Sequence, residues 1–132
     1  MEDSPKILLV DDEPSLVKVV SRRLESEGYE VSVAMDGQEA LDKVMEQRPD
    51  LIVLDVMLPK ISGYEVCRKL KWDLRYQKIP VLMFTAKVQE IDERIGFEAG
   101  ADAYLRKPFR APELLEKIKE LLAEKEWPPV KS

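Results

Sequence analysis

Asp50 to Pro59 reads DLIVLDVMLP, and the rest of the chain falls into place around it. Leu51 to Leu54 form an unbroken apolar run. That is the pattern of a strand buried on both faces, as in a parallel sheet, and not of a strand with one wet face. Asp55 follows directly, then Val56, Met57, Leu58 and Pro59. A carboxylate at the C-terminal end of such a strand stands where open α/β sheets place their ligands.

Outward from this stretch, five apolar runs alternate with five amphipathic segments. Lys6 to Val10 is a first strand, and Pro14 opens a helix carrying Leu16, Val19, Val20 and Leu24 inward, stopped at Gly28. Tyr29 to Ala34 alternates as a second strand. Asp36-Gly37 turns into a helix with Ala40, Leu41, Val44 and Met45 inward, which Pro49 ends. Beyond Pro59 a loop through Gly63 leads to a helix with Val66, Cys67 and Leu70 inward. Ile79 to Phe84 is a fourth buried strand ending at Thr85-Ala86. A fourth helix is expected over Val88 to Ala99, with Ile91 and Ile95 inward and Gly100 as its stop. Ala101 to Leu105 is a short fifth strand. Ala111-Pro112-Glu113 starts a fifth helix lined by Leu114, Leu115, Ile118, Leu121 and Leu122. Strict βα alternation implies right-handed crossovers and a parallel sheet with helices on both faces.

At 132 residues the chain is one domain with a single sizeable core. It is 45% hydrophobic and 36% charged, which suits a globular protein. No apolar run approaches the roughly 20 residues of a membrane span, and MEDSPK is no signal peptide. One cysteine, Cys67, excludes an internal disulfide and fits a cytoplasmic location. A net charge of −5 argues against direct nucleic-acid binding by this domain. With no histidine in the chain, carboxylates are left to bind any metal, which favours a hard cation such as Mg²⁺.

The polar residues with chemistry all follow a strand: Asp11 and Asp12, Asp55, Thr85 and Lys107. Parallel strands bring those ends to one edge. Three carboxylates together raise one another's pKa, and a divalent cation reverses this. Asp55 is then expected to attack phosphorus as a nucleophile, with the metal and Lys107 neutralising the transferring oxygens and the Thr85 hydroxyl donating to one of them.

The set Asp11-Asp12, Asp55 in DVMLP, Thr85-Ala86 and Lys107-Pro108-Phe109 resembles the receiver domain of two-component response regulators, in its single-domain, chemotaxis-regulator-like form. The resemblance spans residues 5 to about 125. It implies a flavodoxin-like (βα)5 fold, a doubly wound five-stranded parallel sheet in the order 2-1-3-4-5. It implies that Asp55 takes a phosphoryl group from a sensor histidine kinase or a histidine phosphotransfer protein. Asp12, Asp55 and the Met57 carbonyl would bind Mg²⁺ directly, and Asp11 through water. Lys107-Pro108 would be a cis peptide. Thr85 and Tyr104 would switch the face formed by the fourth helix, fifth strand and fifth helix, read by a downstream effector protein or by an effector domain outside this sequence.

Met57 and Lys87 stand two positions beyond Asp55 and Thr85, where this family tunes access of water. Neither orients a water, so slow self-dephosphorylation is expected. Regulators with winged-helix outputs usually carry a second acid in the fifth strand and arginines on the fifth helix. Ala103 and ELLEKIKELLAEK offer neither, which argues against that subfamily's dimer. The expected division is a receiver over 1–125 and a flexible tail over 126–132, either a stand-alone regulator or the N-terminal part of a longer one.

Each residue also has a plainer reading by itself. Asp11-Asp12 would cap a helix, Asp55 would sit in a turn, Thr85 would end a strand, and Lys107 would be a solvated surface lysine. Tyr104 would pack the core, and Cys67 would be a small buried apolar residue. Two other functions use similar parts. An FMN-binding flavodoxin wants a Ser/Thr/Gly-rich phosphate loop where this chain has Asp11-Asp12-Glu13. An aspartyl phosphatase of the haloacid-dehalogenase type wants Asp-x-Asp after its first strand. A receiver-like scaffold that is never phosphorylated would not need the acceptor, clamp and metal residues together.

Overall fold

The computed structural model describes residues 4–86 and 98–124. The strands are β1 (Lys6–Val10), β2 (Glu30–Ala34), β3 (Leu51–Asp55), β4 (Val81–Thr85) and β5 (Ala103–Arg106). The helices are α1 (Pro14–Ser26), α2 (Gly37–Gln47), α3 (Gly63–Lys71) and α4 (Ala111–Glu124), the last being the fifth helix of the sequence reading. All strand pairings are parallel, in the order β2-β1-β3-β4-β5. The expected helix over Val88–Ala99, with Ile91 and Ile95, falls almost wholly outside the described residues, as do Lys87 and the tail over 126–132.

β3 is central and buried at every position, as its unbroken apolar run requires. Alternate strand residues feed two cores. Leu8, Val10, Ile52, Leu54, Val81 and Met83 pack against α2 and α3 residues such as Val44, Val66 and Cys67. Ile7, Leu9, Leu51, Val53, Leu82 and Phe84 pack on the other face against α1 and α4.

The helix starts follow local chemistry. Pro14 occupies the first turn of α1, where its missing N–H costs nothing. Asp36 caps α2 by accepting from the Glu39 N–H at 2.8 Å. Glu39 returns the favour by accepting from the Met35 N–H at 2.7 Å. Ser62 caps α3 through the Glu65 N–H at 3.3 Å. Beyond the end of α1, Gly28 takes φ +93, a conformation that glycine adopts freely.

Two inward assignments do not hold. Val19 on α1 is 67% exposed and Met45 on α2 is 53% exposed. The buried stripe of α1 is Val17, Val20 and Leu24. Val19 lies a residue to the side of Val20, about 100° around the helix, which turns it off the sheet. Met45 is displaced from Val44 in the same way. Strand limits also move. The fourth strand begins at Val81, because Pro80 has no N–H for the ladder, and its carbonyl instead accepts from the Ile52 N–H at 3.0 Å. The fifth begins at Ala103. Asp102 before it brackets Val81, donating its N–H to the Val81 carbonyl and accepting the Val81 N–H on its carboxylate, at 2.9 and 2.8 Å.

Candidate functional site

Register sets the site. Val10 pairs with Leu54, so the next residues, Asp11 and Asp55, leave β1 and β3 side by side. Asp55 pairs with Phe84, and Thr85 with Arg106, which brings the ends of β4 and β5 to the same edge. Carboxylate oxygens of Asp11, Asp12 and Asp55 all lie within 4.8 Å of one another. Asp11 and Asp55 are buried, and Asp12 is exposed.

Lys107, arriving 96 residues after Asp11, binds this cluster. Its Nζ donates to Asp11 Oδ2 at 2.7 Å and lies 3.5 Å from Asp55 Oδ2. The same Nζ sits 4.8 Å from the centroid of the Phe84 ring, which tilts against Phe109 with centroids 5.6 Å apart. The Lys107-Pro108 bond is cis, as the resemblance implied. Asp11 Oδ1 accepts from the Glu13 N–H at 2.8 Å, and Asp55 Oδ1 from the Met57 N–H at a long 3.4 Å.

Two buried carboxylates share one ammonium, so negative charge is in excess. Burial pushes the Asp55 carboxyl above its usual range; the Lys107 charge opposes this and the Asp11 charge adds to it. Burial works to lower Lys107, but the hydrogen bond to Asp11 and the charges of Asp55 and Asp11 outweigh it, and the ammonium is held above its ordinary pKa. A cluster of oxygen donors with surplus negative charge fits a hard divalent cation. The groove above it, about 550 Å³, is lined by Asp12, Asp55, Met57, Ser62, Tyr64 and Lys107 among others.

Asp11, Asp12, Asp55 and Lys107 therefore converge as the sequence required. Met57 lies on the groove with its side chain exposed. Thr85 ends β4; its side chain, on which its expected role depends, is outside the described set. Tyr104 is half-buried in β5, beside Met83 in register, and packs on the core that also holds α2 and α3.

Sequence reasoning missed two residues that shape the site. Phe84, taken only as strand core, supplies an aromatic face under the Lys107 ammonium. An aromatic immediately before Thr85 was the available signal. Gly63, taken as a loop residue, is the first residue of α3 and lies against the Asp55 carbonyl oxygen, which a Cβ there would strike. Its N–H donates to the Val56 carbonyl at 2.9 Å.

Comparison with known proteins agrees with this geometry. The family model for the response regulator receiver domain matches residues 7–119. The chain is 50% identical over 123 residues to the alkaline phosphatase synthesis transcriptional regulatory protein PhoP of Bacillus subtilis, covering 92% of this chain and 50% of PhoP. It thus spans about half the length of the curated relatives it matches. A CheY-like response regulator receiver domain protein from Methanospirillum hungatei superposes with a TM-score of 0.88 at 34% identity, covering 96% of this chain and 99% of that one. The receiver domain of sensor histidine kinase PA1611 from Pseudomonas aeruginosa, solved with magnesium in its active-site cleft, matches with a TM-score of 0.85 at 32% identity. That match covers 91% of this chain and 98% of the PA1611 domain.

Proposed function

The chain belongs to the response regulator receiver family, and from that premise we propose that Asp55 is the phosphoacceptor of a two-component relay. The observation that carries the reading is Lys107 reaching Asp11 and Asp55 inside a cluster of three carboxylates. A receiver domain is a signalling switch, and the chemistry proposed here acts only on the chain itself.

The donor is a phosphohistidine on a sensor histidine kinase or a histidine phosphotransfer protein. An oxygen of Asp55 forms the new P–O bond while the P–N bond breaks. The leaving imidazole nitrogen keeps the bonding pair and takes a proton. Lys107 lies within reach of the acceptor carboxylate and neutralises charge on the transferring oxygens. Asp12 and Asp55, with the Met57 carbonyl, would hold Mg²⁺, and Asp11 would act through water. Bound there, Mg²⁺ supplies positive charge at the phosphoryl oxygens and keeps the carboxylates ionised. Thr85 donates its hydroxyl to the phosphoryl group, and Tyr104 repacks in response, which changes the face formed by β5 and α4. Neither a methionine at 57 nor a lysine at 87 has a carboxylate or amide to orient a water for attack, so the acyl phosphate is lost slowly.

The reading places the domain in the cytoplasm, where histidine kinases present their phosphoryl group. Among the described residues no helix is long and apolar enough to cross a membrane. The −5 charge favours protein contacts over direct contact with nucleic acid. PhoP is named a transcriptional regulator. In a longer regulator of that kind, contact with DNA would fall to another domain, and the receiver would signal to it.

Intact-mass spectrometry after incubation with acetyl phosphate tests the proposal. One phosphate adduct is expected with Mg²⁺, none with EDTA, and none on Asp55→Asn. An unmodified wild-type chain under all conditions would move the reading to a scaffold that binds partners without phosphorylation.

A further inference from the structure

We propose that Gly37 and Lys60 are positioning residues for the Mg²⁺ site: the start of α2 clamps the loop between β3 and α3, and this clamp sets how tightly the cation is held. The inference rests on the reading of Asp11, Asp12 and Asp55 as the metal site.

The loop runs from Val56 to Ser62 and carries Met57, whose N–H is bonded to Asp55. Its downstream end is fixed where Gly63 lies against the Asp55 and Val56 backbone. Its far side is fixed by α2. The Gly37 N–H donates to the Pro59 carbonyl at 3.3 Å. A Cβ on Gly37 would collide with the carbonyl oxygen of Ile61. Lys60 Nζ lies 3.5 Å from Asp36 Oδ2. Asp36 is held in turn, because its Oδ1 accepts from the Glu39 N–H and caps the helix.

Two features mark this contact as something other than a turn that happens to lie near a helix. Gly37 is the first residue of α2, where alanine would suit a helix better. Glycine there answers to the close approach of Ile61. Lys60 adopts φ +69, a left-handed conformation that costs a lysine energy and persists when its surroundings impose it. So the loop's path is set by α2 and α3 together. Mg²⁺ demands near-ideal octahedral geometry, so a displacement of a few tenths of an ångström in this loop weakens binding.

The experiment is calorimetric titration of Mg²⁺ into the metal-free whole chain. Five proteins are compared: wild type, Gly37→Ala, Val44→Ala, Lys60→Met and Asp55→Asn. Gly37→Ala is expected to weaken binding about tenfold, the usual scale for supporting residues around a metal. Val44→Ala removes core packing from the same helix and is expected to keep the wild-type affinity. Wild-type affinity in Gly37→Ala overturns the proposal. So does an equal loss in Val44→Ala, which would trace the effect to general loosening. Should Gly37→Ala fail to fold, Lys60→Met decides by its sign. A lysine acting through charge alone repels Mg²⁺, so its removal would tighten binding; the clamp requires weaker binding, and unchanged or tighter binding overturns it. Absence of Mg²⁺ uptake by wild type, or undiminished uptake by Asp55→Asn, overturns the site reading itself, and the clamp with it.

Discussion

Asp55 is 4% exposed, and its carboxyl is held above the usual range chiefly by burial. A raised folded-state pKa means that the native protein holds this proton more tightly than the unfolded chain. Stability of the metal-free protein should therefore fall as pH rises from the ordinary carboxylate pKa through the raised one. Asp55→Asn removes that cost, so in EDTA at neutral pH it should melt a few degrees above wild type. The gain should vanish below the carboxylate range and shrink when Mg²⁺ restores wild type. A lower melting temperature for Asp55→Asn in EDTA would contradict the electrostatic account. Cys67 is the second test at this scale. Burial pushes its thiol up to about 11, and it is fully enclosed beside α2 and β4. Native protein near pH 8 should leave an aromatic disulfide reagent unreacted for as long as it stays folded, while denatured protein should react at once. At this scale the sequence was most legible where a residue's chemistry requires partners. Asp11, Asp12, Asp55 and Lys107 made sense only together. Phe84 was not legible as part of the site because an aromatic in a buried strand has a sufficient reason to be there already.

Elements were readable through their periods, and misread where two adjacent residues compete for one face. Val19-Val20 and Val44-Met45 are such pairs. An apolar pattern cannot say which member points at the sheet, because a helix stripe is wide enough to admit either. The contrast is measurable. Val17→Ala, in the buried stripe of α1, should cost about 1–2 kcal/mol. Val19→Ala should stay within about 0.5 kcal/mol, as exposed substitutions do. Equal losses in chemical denaturation would mean that α1 is rotated from the position described. Exposed Val19 does line an apolar cleft of about 600 Å³ with Leu16, Phe109 and Leu114, beside Lys107. The start of α3 gives a sharper test. Gly63→Ala adds a Cβ that meets the Asp55 carbonyl oxygen, and should destabilise by about 1–3 kcal/mol despite alanine's better helix propensity. A stabilised Gly63→Ala protein would show that the α3 start is free to move from the acceptor strand.

The whole molecule brings its chemistry together by topology. Chain positions from 11 to 107 meet because every strand is parallel and all C-terminal ends share one edge. This much followed from βα alternation, since right-handed crossovers leave few arrangements of five strands. What did not follow was the fastening of the site from outside it. Gly37 on α2 and Gly63 on α3 touch backbone, and contacts made by absent side chains leave no periodic or chemical mark in a sequence. Of the three clustered carboxylates, Asp55 and neither Asp11 nor Asp12 is the proposed acceptor of the phosphoryl group. The most direct test is to phosphorylate the protein with acetyl phosphate and Mg²⁺, reduce it with borohydride, and map the peptides by mass spectrometry. Reduction turns a phosphorylated aspartate into homoserine and leaves other aspartates unchanged. Homoserine at position 55, with aspartate retained at 11 and 12, is the expected result. Homoserine at 11 or 12, or at none of the three in protein that carries the phosphate adduct, would contradict the account.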